Sequence, residues 1–599
     1  MAWYDEAVFY HIYPLGLAGA PKQNDYGEPV HRLNTLLPWV DHIKEIGGSA
    51  LYIGPLFESV GHGYETTDYK KLDSRLGTNE DLTAFVAYCH EQGIKVIFDG
   101  VFNHTGRDFF AFKDIQANRE NSHYKDWYCN VNFRGNNEYN DGFSYDNWGG
   151  YNLLVKLNQK NPAVVDYICD VIRFWVSEFD VDGIRLDAAD VLDFDFMKAL
   201  RRTANEVKPD FWLMGEVIHG DYSRWVNGET LHSVTNYTLH KALYSGHNDH
   251  NYFEIAHTVR RLQNMGTLKL YNFVDNHDVE RIYTKLTNKA HFAPVHVLLY
   301  TLPGVPSIYY GSEFGIEGRK EYGSDDSLRP ALNIEDYKDS VKTNPCTALI
   351  AALGKVRQAV PALSYGSYDE LMLTNRQFAY ARDLDGTRVI VSVNNDDAPA
   401  GMHLAAGNCT AYIGALSGEK VSVQDGHINI TQPANSGEIW VPEVTDLDVK
   451  PVKVVTKTDS EAKTNTEDKA ASETATDAKG NKKAEPKIES KESKDIVTAT
   501  ESADAKKNTT DIEKNTTAAN EVKDSAKDAS AQAAADTPVD PETITVDWSK
   551  SPESMTVPEL QAAILAKLAG NGPVDAQMKK TVTDNIWHDS LVNWLKSFR

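Results

Sequence analysis

Four short polar runs, each at the carboxyl end of an apolar stretch, constrain the fold of this chain more than any other feature. They are DGVFNH (Asp99 to His104), GIRLDAAD (Gly183 to Asp190), GEV (Gly215 to Val217) and FVDNHD (Phe273 to Asp278). The stretches that carry them are typical of buried strands. Stretches with helical periodicity lie between them, such as residues 81–92 and 163–178. This alternation predicts a parallel sheet, and about eight such units close a barrel.

We therefore predict an α/β chain built on a (β/α)8 TIM barrel, which occupies residues 1–104 and 161–346. The further strands are expected at residues 7–13, 49–54, 233–236 and 307–310. In such a barrel the chemistry takes place at the C-terminal ends of the strands, and the four polar runs fall at those ends.

The segment after the third strand, residues 105–160, is far longer than an ordinary βα loop. It carries nine aromatic residues between positions 124 and 151, among many Asn, Asp and Gly. This composition predicts a small inserted B domain that walls one side of a cleft. Because such a domain needs aromatic side chains for its own core, we expect only two or three of the nine to face a substrate.

Three further segments follow the barrel. Residues 347–442 open with a helical stretch and continue as short alternating runs separated by turn signals, which predicts a β-sandwich. Residues 443–542 contain no Phe, Trp or Tyr, and we expect a disordered, low-complexity linker. Residues 543–599 regain apolar side chains. A capping box from Thr556 to Glu559 predicts one helix there, and two more are expected near residues 574–584 and 587–598.

This terminal helical module has two interpretations. It is either a solubility or self-association module, or a docking module that tethers the chain to a glucan granule, a membrane partner or another copy. Trp587 and Trp594 are the main candidates for an exposed sugar-binding surface. Because that surface is small, the sequence favours protein–protein contact or self-association.

Run by run, residues 7–442 resemble the α-amylase family of retaining glycoside hydrolases. The resemblance implies that Asp187 is the nucleophile, Glu216 the general acid/base, and Asp278 the third carboxylate, which holds sugar hydroxyls. Retaining glycosidases place two carboxyl groups roughly 5 Å apart, one to attack the anomeric carbon and one to transfer the proton. A partly desolvated Glu can have a raised pKa, as the acid role requires.

The resemblance also implies a set of substrate-binding residues around this triad. Two histidines would hydrogen-bond the sugar in the cleaved subsite, a tyrosine would stack on its ring, and an acidic–basic pair would contact the next sugar. By the two-residue period of a strand, Arg185 points to the same side as Asp187 and would keep it ionised. The substrate-binding residues are expected to be His62, Tyr64, Asp99, His104, Arg185, His277, Asp325 and Arg329.

Weaker signals indicate the branch of the family. VKLN (Val155 to Asn158) and GEVIHGD (Gly215 to Asp221) resemble the neopullulanase and cyclomaltodextrinase branch, which acts on maltooligosaccharides, cyclodextrins and pullulan. Two features differ from that branch. The chain begins almost directly with the first barrel strand, so we expect it to lack the branch's N-terminal β-domain. Ala188-Ala189-Asp190 replaces the usual Val-Ala-Asn, which favours α-1,4 linkages and puts pullulan cleavage in doubt.

The leading functional hypothesis is therefore hydrolysis of α-1,4 bonds in maltooligosaccharides, cyclodextrins or starch-derived glucans through a covalent glycosyl-enzyme intermediate. One alternative is an α-glucan transglycosylase on the same fold, which the sequence does not separate from a hydrolase. The other is a catalytically inactive, glucan-binding relative. The presence of all three carboxylates opposes this last alternative.

No cofactor is expected to be required, and no residue is assigned to a metal. Many secreted family members bind calcium through the Asn of the first run and a Lys-His pair after the nucleophile. Asn103 is present, but Asp190-Val191 stand where Lys-His is expected, so the usual calcium site looks incomplete. A different calcium site in the B domain remains open.

Composition excludes some partners and compartments. The net charge of −25 argues against nucleic acid as a partner. Five scattered cysteines are expected to be free thiols in a reducing compartment. The N-terminus has no basic region typical of a signal peptide, and no apolar run approaches the roughly 20 residues of a membrane span. These features predict a cytoplasmic protein.

Overall fold

A computed structural model describes residues 2–266, 268–321 and 324–443, and in the C-terminal part residues 546, 548, 550–552, 555–569, 582 and 595. The chain divides into two compact units, residues 1–478 and 479–599. The predicted linker at 443–542 lies outside the described residues except for its first residue.

Eight parallel strands form the barrel that the sequence predicts. Their bounds are β1 Phe9–Ile12, β2 Ala50–Ile53, β3 Lys95–Gly100, β4 Gly183–Leu186, β5 Trp212–Gly215, β6 Ser233–Val234, β7 Tyr271–Asn272 and β8 Val305–Tyr309. Their order in the sheet is β6-β5-β4-β3-β2-β1-β8-β7. A parallel bridge between Thr235 and Tyr271 joins the two ends of the sheet and closes the barrel.

Alternating side chains of each strand face the barrel interior and the surrounding helices. In β4, Ile184 and Leu186 belong to the large core between sheet and helices. Arg185 therefore faces the interior, as does Asp187 one residue after the strand. The lower part of the interior is filled by apolar side chains that include Phe9, Ile97 and Trp212. The barrel is thus a packed core with polar groups at its C-terminal edge.

Helices follow most of the strands. Their bounds are α1 Leu37–Glu45, α2 Asn79–Glu91, α3 Pro162–Phe179, α4 Phe194–Val207, α5 Tyr237–Asn248, α6 Tyr252–Asn264, α7 Phe292–Thr301 and α8 Pro345–Ala359. A 3-10 turn, Tyr222–Arg224, stands between β5 and β6. The two helices predicted from periodicity, α2 and α3, are confirmed. Thr78 and Asp81 cap α2 reciprocally, and Asn161 caps α3 with Pro162 at its first position.

The inserted segment between β3 and α3 contains a helix, Phe110–Asn118, and three short antiparallel strands, His104–Thr105, Asn147–Trp148 and Tyr151–Lys156. Tyr128, Phe143 and Tyr145 are buried in its core. Tyr139 and Tyr151 are exposed. Tyr124, Trp127 and Phe133 are partly buried and pack against the core. Six of the nine aromatic residues therefore contribute to packing.

The C-terminal domain of the first unit is an antiparallel β-structure. Its strands are β9 Ser367–Leu373, β10 Gln377–Leu384, β11 Thr387–Asn394, β12 Ala400–Ala405, β13 Ala411–Gly414, β14 Lys420–Ser422, β15 His427–Gln432 and β16 Ser436–Pro442. One sheet has the order β9-β10-β11-β16-β13-β14, and β12 pairs with β15 in a second sheet. Met402 and Ile428 of the second sheet share one core with Ile390 and Trp440 of the first. This arrangement confirms the predicted sandwich.

In the second unit the structure describes one complete helix, α9 Val557–Ala569. Glu559 accepts hydrogen bonds from the backbone N–H and the hydroxyl of Thr556, so the predicted capping box forms. Leu560 and Ile564 of α9 share a small apolar core with Val582 and Leu595.

Candidate active site

The polar runs place their functional side chains at one edge of the barrel. Asp99 is the fifth residue of β3, and Arg185 lies in β4. Asp187 and Glu216 directly follow the last residues of β4 and β5, and Asp278 lies in the loop after β7. Because the strands are parallel, their carboxyl ends meet at the same edge, and the side chains converge there.

Arg185 connects three of the carboxylates. Its Nη1 lies 2.9 Å from Asp99 Oδ1 and 2.9 Å from Asp187 Oδ1. Its Nη2 lies 2.9 Å from Glu216 Oε2. The side chains of Arg185 and Asp99 are almost fully buried. Asp187 and Glu216 therefore contact the two terminal nitrogens of one guanidinium.

The pKa of Asp187 lies well above its usual range. Burial is the main cause, and the neighbouring Glu216 and Asp99 carboxyls add to the rise, whereas Arg185 opposes it. Arg185 acts on Asp187 in the expected direction, since its charge lowers the pKa of that carboxyl. Burial outweighs this effect, and the same guanidinium also contacts Asp99 and Glu216.

Glu216 is held by contacts that its short motif does not reveal. The backbone N–H of Ala188 donates to Glu216 Oε2 at 3.1 Å, and Tyr237 Oη donates to Oε1 at 3.4 Å. Asn276 Nδ2 in turn donates to Tyr237 Oη at 3.2 Å. Ala188 has a left-handed backbone, with φ of 47°, which follows the turn at the end of β4. The side chain of Glu216 remains partly open to solvent.

Asp278 is paired with an arginine and a histidine at the rim. Arg329 Nη2 donates to Asp278 Oδ1 at 2.8 Å, and His277 Nε2 lies 3.0 Å from Oδ2. Burial alone would raise the pKa of Asp278, but His277, Arg329 and Arg185 hold it well below its usual range. Asp278 is therefore ionised at neutral pH.

Asp99 lies beneath the site. It is 2% exposed and accepts hydrogen bonds from Tyr52 at 2.8 Å and from Tyr64 at 3.2 Å, besides its contact with Arg185. The Tyr64 ring stacks on His277 with centroids 5.7 Å apart, and its hydroxyl bonds His277 Nε2. The structure thus joins Asp99, Tyr64 and His277 into one hydrogen-bonded group.

His104 is positioned by the B domain. It pairs in register with Lys156 of the VKLN motif, so the strand Tyr151–Lys156 fixes it beside the end of β3. His104 Nε2 lies 3.1 Å from the Tyr64 carbonyl oxygen, and its Nδ1 lies 3.2 Å from the Asn103 amide. Burial lowers the pKa of His104 to about 3, so the ring is neutral. Both ring nitrogens are engaged by the protein.

The remaining predicted residues line a cavity of about 890 Å³ beside Asp278. Asp325 Oδ2 lies 3.0 Å from Arg329 Nη2, so the predicted acidic–basic pair forms. His62, whose side chain is half exposed, lies 3.2 Å from Glu65 Oε1. Tyr13 also lines this cavity, and its ring lies under the Arg329 guanidinium.

Sequence reasoning missed three contributors to the site: Tyr13, Tyr52 and Tyr237. A signal for Tyr237 was present, because it follows Asn236 at the end of the predicted sixth strand. Tyr52 lies within an apolar strand and Tyr13 at the end of one, where a tyrosine is indistinguishable from a core residue.

The surroundings of Asn103 bear on metal binding, because this residue matches an asparagine that binds calcium in the enzymes the sequence resembles. Asn103 is fully buried, and its Oδ1 has no hydrogen-bond partner among the described residues. Across the described part of the chain, no three His, Cys, Asp or Glu side chains form a cluster that could hold a metal ion. Asp190, which stands where the usual calcium site has its Lys-His pair, donates its backbone N–H to the Glu216 carbonyl oxygen at 3.2 Å.

A parallel eight-stranded barrel with two adjacent carboxyl groups at its C-terminal edge fits the class of retaining glycoside hydrolases. A family model for the α-amylase catalytic domain matches residues 32–355. The chain belongs to the α-amylase family.

Two curated relatives and one solved structure show how similar the chain is to known members. It is 31% identical over 422 residues to a cyclomaltodextrinase of a Bacillus species, covering 66% of this chain and 74% of the relative. It is 28% identical over 418 residues to an intracellular maltogenic amylase of Bacillus subtilis, covering 65% and 69%. A solved cyclomaltodextrinase superposes with a TM-score of 0.65 at 27% identity, covering 73% of this chain and 78% of that one.

These similarities confirm the family expected from the motifs and the nearness to its cyclomaltodextrinase members. Among the residues that the structure describes, no helix combines the length and apolar character that a membrane span needs.

Proposed function

We propose that the protein hydrolyses α-1,4-glucosidic bonds of maltooligosaccharides and cyclodextrins with retention of configuration. The observation that carries this proposal is the contact of Asp187 and Glu216 with the two terminal nitrogens of Arg185. One guanidinium brings the two carboxyl groups close together, in line with the roughly 5 Å that a retaining mechanism needs.

In this mechanism Asp187 attacks the anomeric carbon, while Glu216 gives its proton to the leaving glycosidic oxygen. The C–O bond breaks, and a glycosyl ester of Asp187 forms. Glu216 then takes a proton from water, whose oxygen attacks the same carbon and releases Asp187. The cycle needs Asp187 to be ionised, and Arg185 supports that form because its charge lowers the pKa of Asp187 against the effect of burial.

Asp278, His277, Tyr64 and Arg329 are proposed to hold the sugar at the reaction centre. The ionised Asp278 would accept hydrogen bonds from sugar hydroxyls and stabilise positive charge on the ring in the transition state. Tyr64 offers a ring face for stacking, and His277 stacks beneath it. His104 would act on the sugar only by exchanging one of its present partners.

The substrate class rests on the similarity to a cyclomaltodextrinase and on Ala188 after the nucleophile. The test is to incubate the protein separately with maltotriose, maltoheptaose, β-cyclodextrin, starch, pullulan and isomaltose, and to follow the products with time. We expect rapid opening of β-cyclodextrin and slow attack on starch. Products longer than the substrate would show transglycosylation, and activity on isomaltose alone would overturn the α-1,4 proposal.

The acid role is tested by Glu216→Gln. We expect kcat to fall by at least 10³-fold because the leaving oxygen is no longer protonated. Binding of maltoheptaose, measured by isothermal titration calorimetry, should persist. Glu229→Gln is the matched control, since Glu229 is exposed and forms a surface pair with Lys198. Unimpaired hydrolysis by Glu216→Gln would refute the assignment of Glu216 as the general acid.

We further propose that catalysis needs no added calcium. Asn103 offers one unpartnered oxygen, whereas calcium takes six to eight oxygen ligands. Activity after dialysis against a chelator should equal that of the untreated protein. A loss that calcium restores would contradict this proposal.

We also propose a cytoplasmic location, since all five cysteines are free thiols and one relative is named an intracellular enzyme. Cell fractionation that recovers the protein outside the cytoplasm would refute it.

A further inference from the structure

Tyr151 lines a cavity next to the reaction centre, on the side of Arg329, which contacts Asp278. It lines the same cavity of about 890 Å³ as His62, Asp325 and Arg329, but it comes from the B domain. Its exposure of 64% is the largest among the exposed large hydrophobic residues in the described part of the chain. Its hydroxyl has no hydrogen-bond partner, and its ring contacts no aromatic ring, among the described residues.

The hairpin that carries Tyr151 fixes the position of its ring. Gly149 and Gly150 form the turn between the strands Asn147–Trp148 and Tyr151–Lys156, with φ values of 62° and 84° that favour glycine. A Cβ atom at Gly149 would lie 3.3 Å from Tyr151 Cδ2. The ring therefore packs beside the backbone of Gly149, and the rest of it is open.

The surroundings of the ring fit a sugar. A pyranose presents hydroxyls at its edge and an apolar C–H face, which packs against the face of an aromatic ring. The cavity offers both kinds of contact, since Asp325, Arg329 and Glu65 also line it. Glu65 is 3% exposed, and its Oε2 has no hydrogen-bond partner among the described residues.

We propose that Tyr151 is a stacking surface for a sugar ring of the bound glucan outside the reaction centre, and that it makes the protein prefer longer or cyclic α-glucans to short ones. This inference rests on the proposed function, because it assumes that the cavity binds the same glucan that Asp187 and Glu216 cleave. Tyr151 touches no reacting atom and acts on specificity.

The test compares kcat/KM for maltoheptaose and maltotriose in the full chain. For Tyr151→Ala we expect the ratio of the two values to fall about threefold to tenfold, the size of one aromatic contact. Tyr151→Trp should restore the ratio, because a ring face is present again. Tyr139→Ala is the matched control, since Tyr139 is an exposed tyrosine of the same domain that does not line the cavity. Its ratio should equal that of the unmodified protein.

An equal loss on both substrates, or no loss on either, would overturn the role of Tyr151. The same comparison is made for binding, by calorimetry in the Glu216→Gln background, where hydrolysis does not interfere. The two proposals can fail separately. If Tyr151→Ala weakens the binding of maltoheptaose but the unmodified protein hydrolyses no glucan, the stacking surface is supported and the proposed reaction is refuted. Unchanged binding there would overturn the stacking surface by itself.

Discussion

At the scale of single residues, the charge of Arg185 is divided among several carboxylates. Asp99 binds the guanidinium from below, and Tyr52 in turn donates a hydrogen bond to Asp99. Arg185 therefore has little freedom to move toward any one of the other carboxylates. Burial raises the pKa of Asp187, and Arg185 opposes that rise. Removal of the guanidinium must therefore raise the pKa of Asp187 further.

Arg185→Met tests this balance through the pH dependence of kcat/KM. The nucleophile reacts only when ionised, so a higher pKa of Asp187 moves the acidic limb of the profile to higher pH. Arg185→Lys, which keeps one positive charge, should shift the limb less. Arg173→Met removes an exposed arginine of α3 and should leave the profile unchanged. A limb that stays in place in Arg185→Met would show that Asp187 does not govern it.

Some site residues were predictable from the sequence because they combine a chemical motif with a position at a strand end. Asp187, Glu216 and Arg185 meet both conditions, and the structure brings them together. Tyr237 contacts Glu216 from the first residue of α5, directly after the N-cap Asn236, and that capping motif accounts for the local sequence without a role in the site. Tyr52 is not distinguished by its sequence context, since the residues on either side of it, Leu51 and Ile53, are apolar. Its role depends on a tertiary contact with Asp99, which the sequence alone does not reveal.

At the scale of elements, a buried charge network fixes β4 to its neighbours at the end of the barrel away from the site. Asp182, one residue before β4, is 1% exposed and lies 2.7 Å from His90 Nε2 of α2. It also lies 2.9 Å from Lys95 Nζ and 3.0 Å from Lys208 Nζ. Burial alone would raise the pKa of Asp182, but hydrogen bonds from His90, Val96 and Lys95 hold it well below its usual range.

Asp182→Asn should lower the stability of the first unit by about 2 kcal/mol, because it leaves buried donors without a charged acceptor. The pKa is lowered on folding, so this stabilisation is complete above the unfolded pKa of about 3.9 and is lost as the pH falls below it. The difference in unfolding temperature between Asp182→Asn and the unmodified chain should therefore be largest near pH 7 and narrow below about pH 4.

Asp180→Asn is the matched control for this network. Asp180 contacts the same Lys208 at 2.7 Å, but its side chain is 68% exposed, so its loss should change the unfolding temperature little. Equal effects of the two substitutions would contradict a stabilising role for the buried network.

The elements themselves were predictable because periodicity identifies strands and helices, but their lengths were not. The apolar stretch around the start of FVDNHD, residues 268–275, is typical of a longer strand, whereas β7 is only Tyr271–Asn272. The apolar residues after it, Phe273 and Val274, are buried without ladder pairing. Burial and strand pairing are separate properties, and an apolar run reports only the first.

At the scale of the whole molecule, every residue proposed for the site lies between Tyr13 and Arg329, within the first unit. The second unit has a small core of its own around α9, to which Leu560, Val582 and Leu595 contribute. Trp548 is 55% exposed there, with the Lys567 ammonium over its ring. Protein–protein contact remains our proposal for this module. An exposed aromatic side chain is a frequent anchor of such contacts.

A chain shortened to end at Pro442 tests both parts of this division. Because the site residues are retained, kcat/KM for maltotriose and for β-cyclodextrin should stay within about twofold of the full chain.

If residues 543–599 mediate self-association, sedimentation should give a concentration-dependent mass for the full chain and a constant monomer mass for the shortened one. Trp548→Ala in the full chain should then weaken the association without changing hydrolysis, because aromatic anchors at interfaces typically contribute about 2 kcal/mol or more. A monomeric full chain at all concentrations would exclude self-association, and a large loss of hydrolysis on shortening would show that the second unit supports the site.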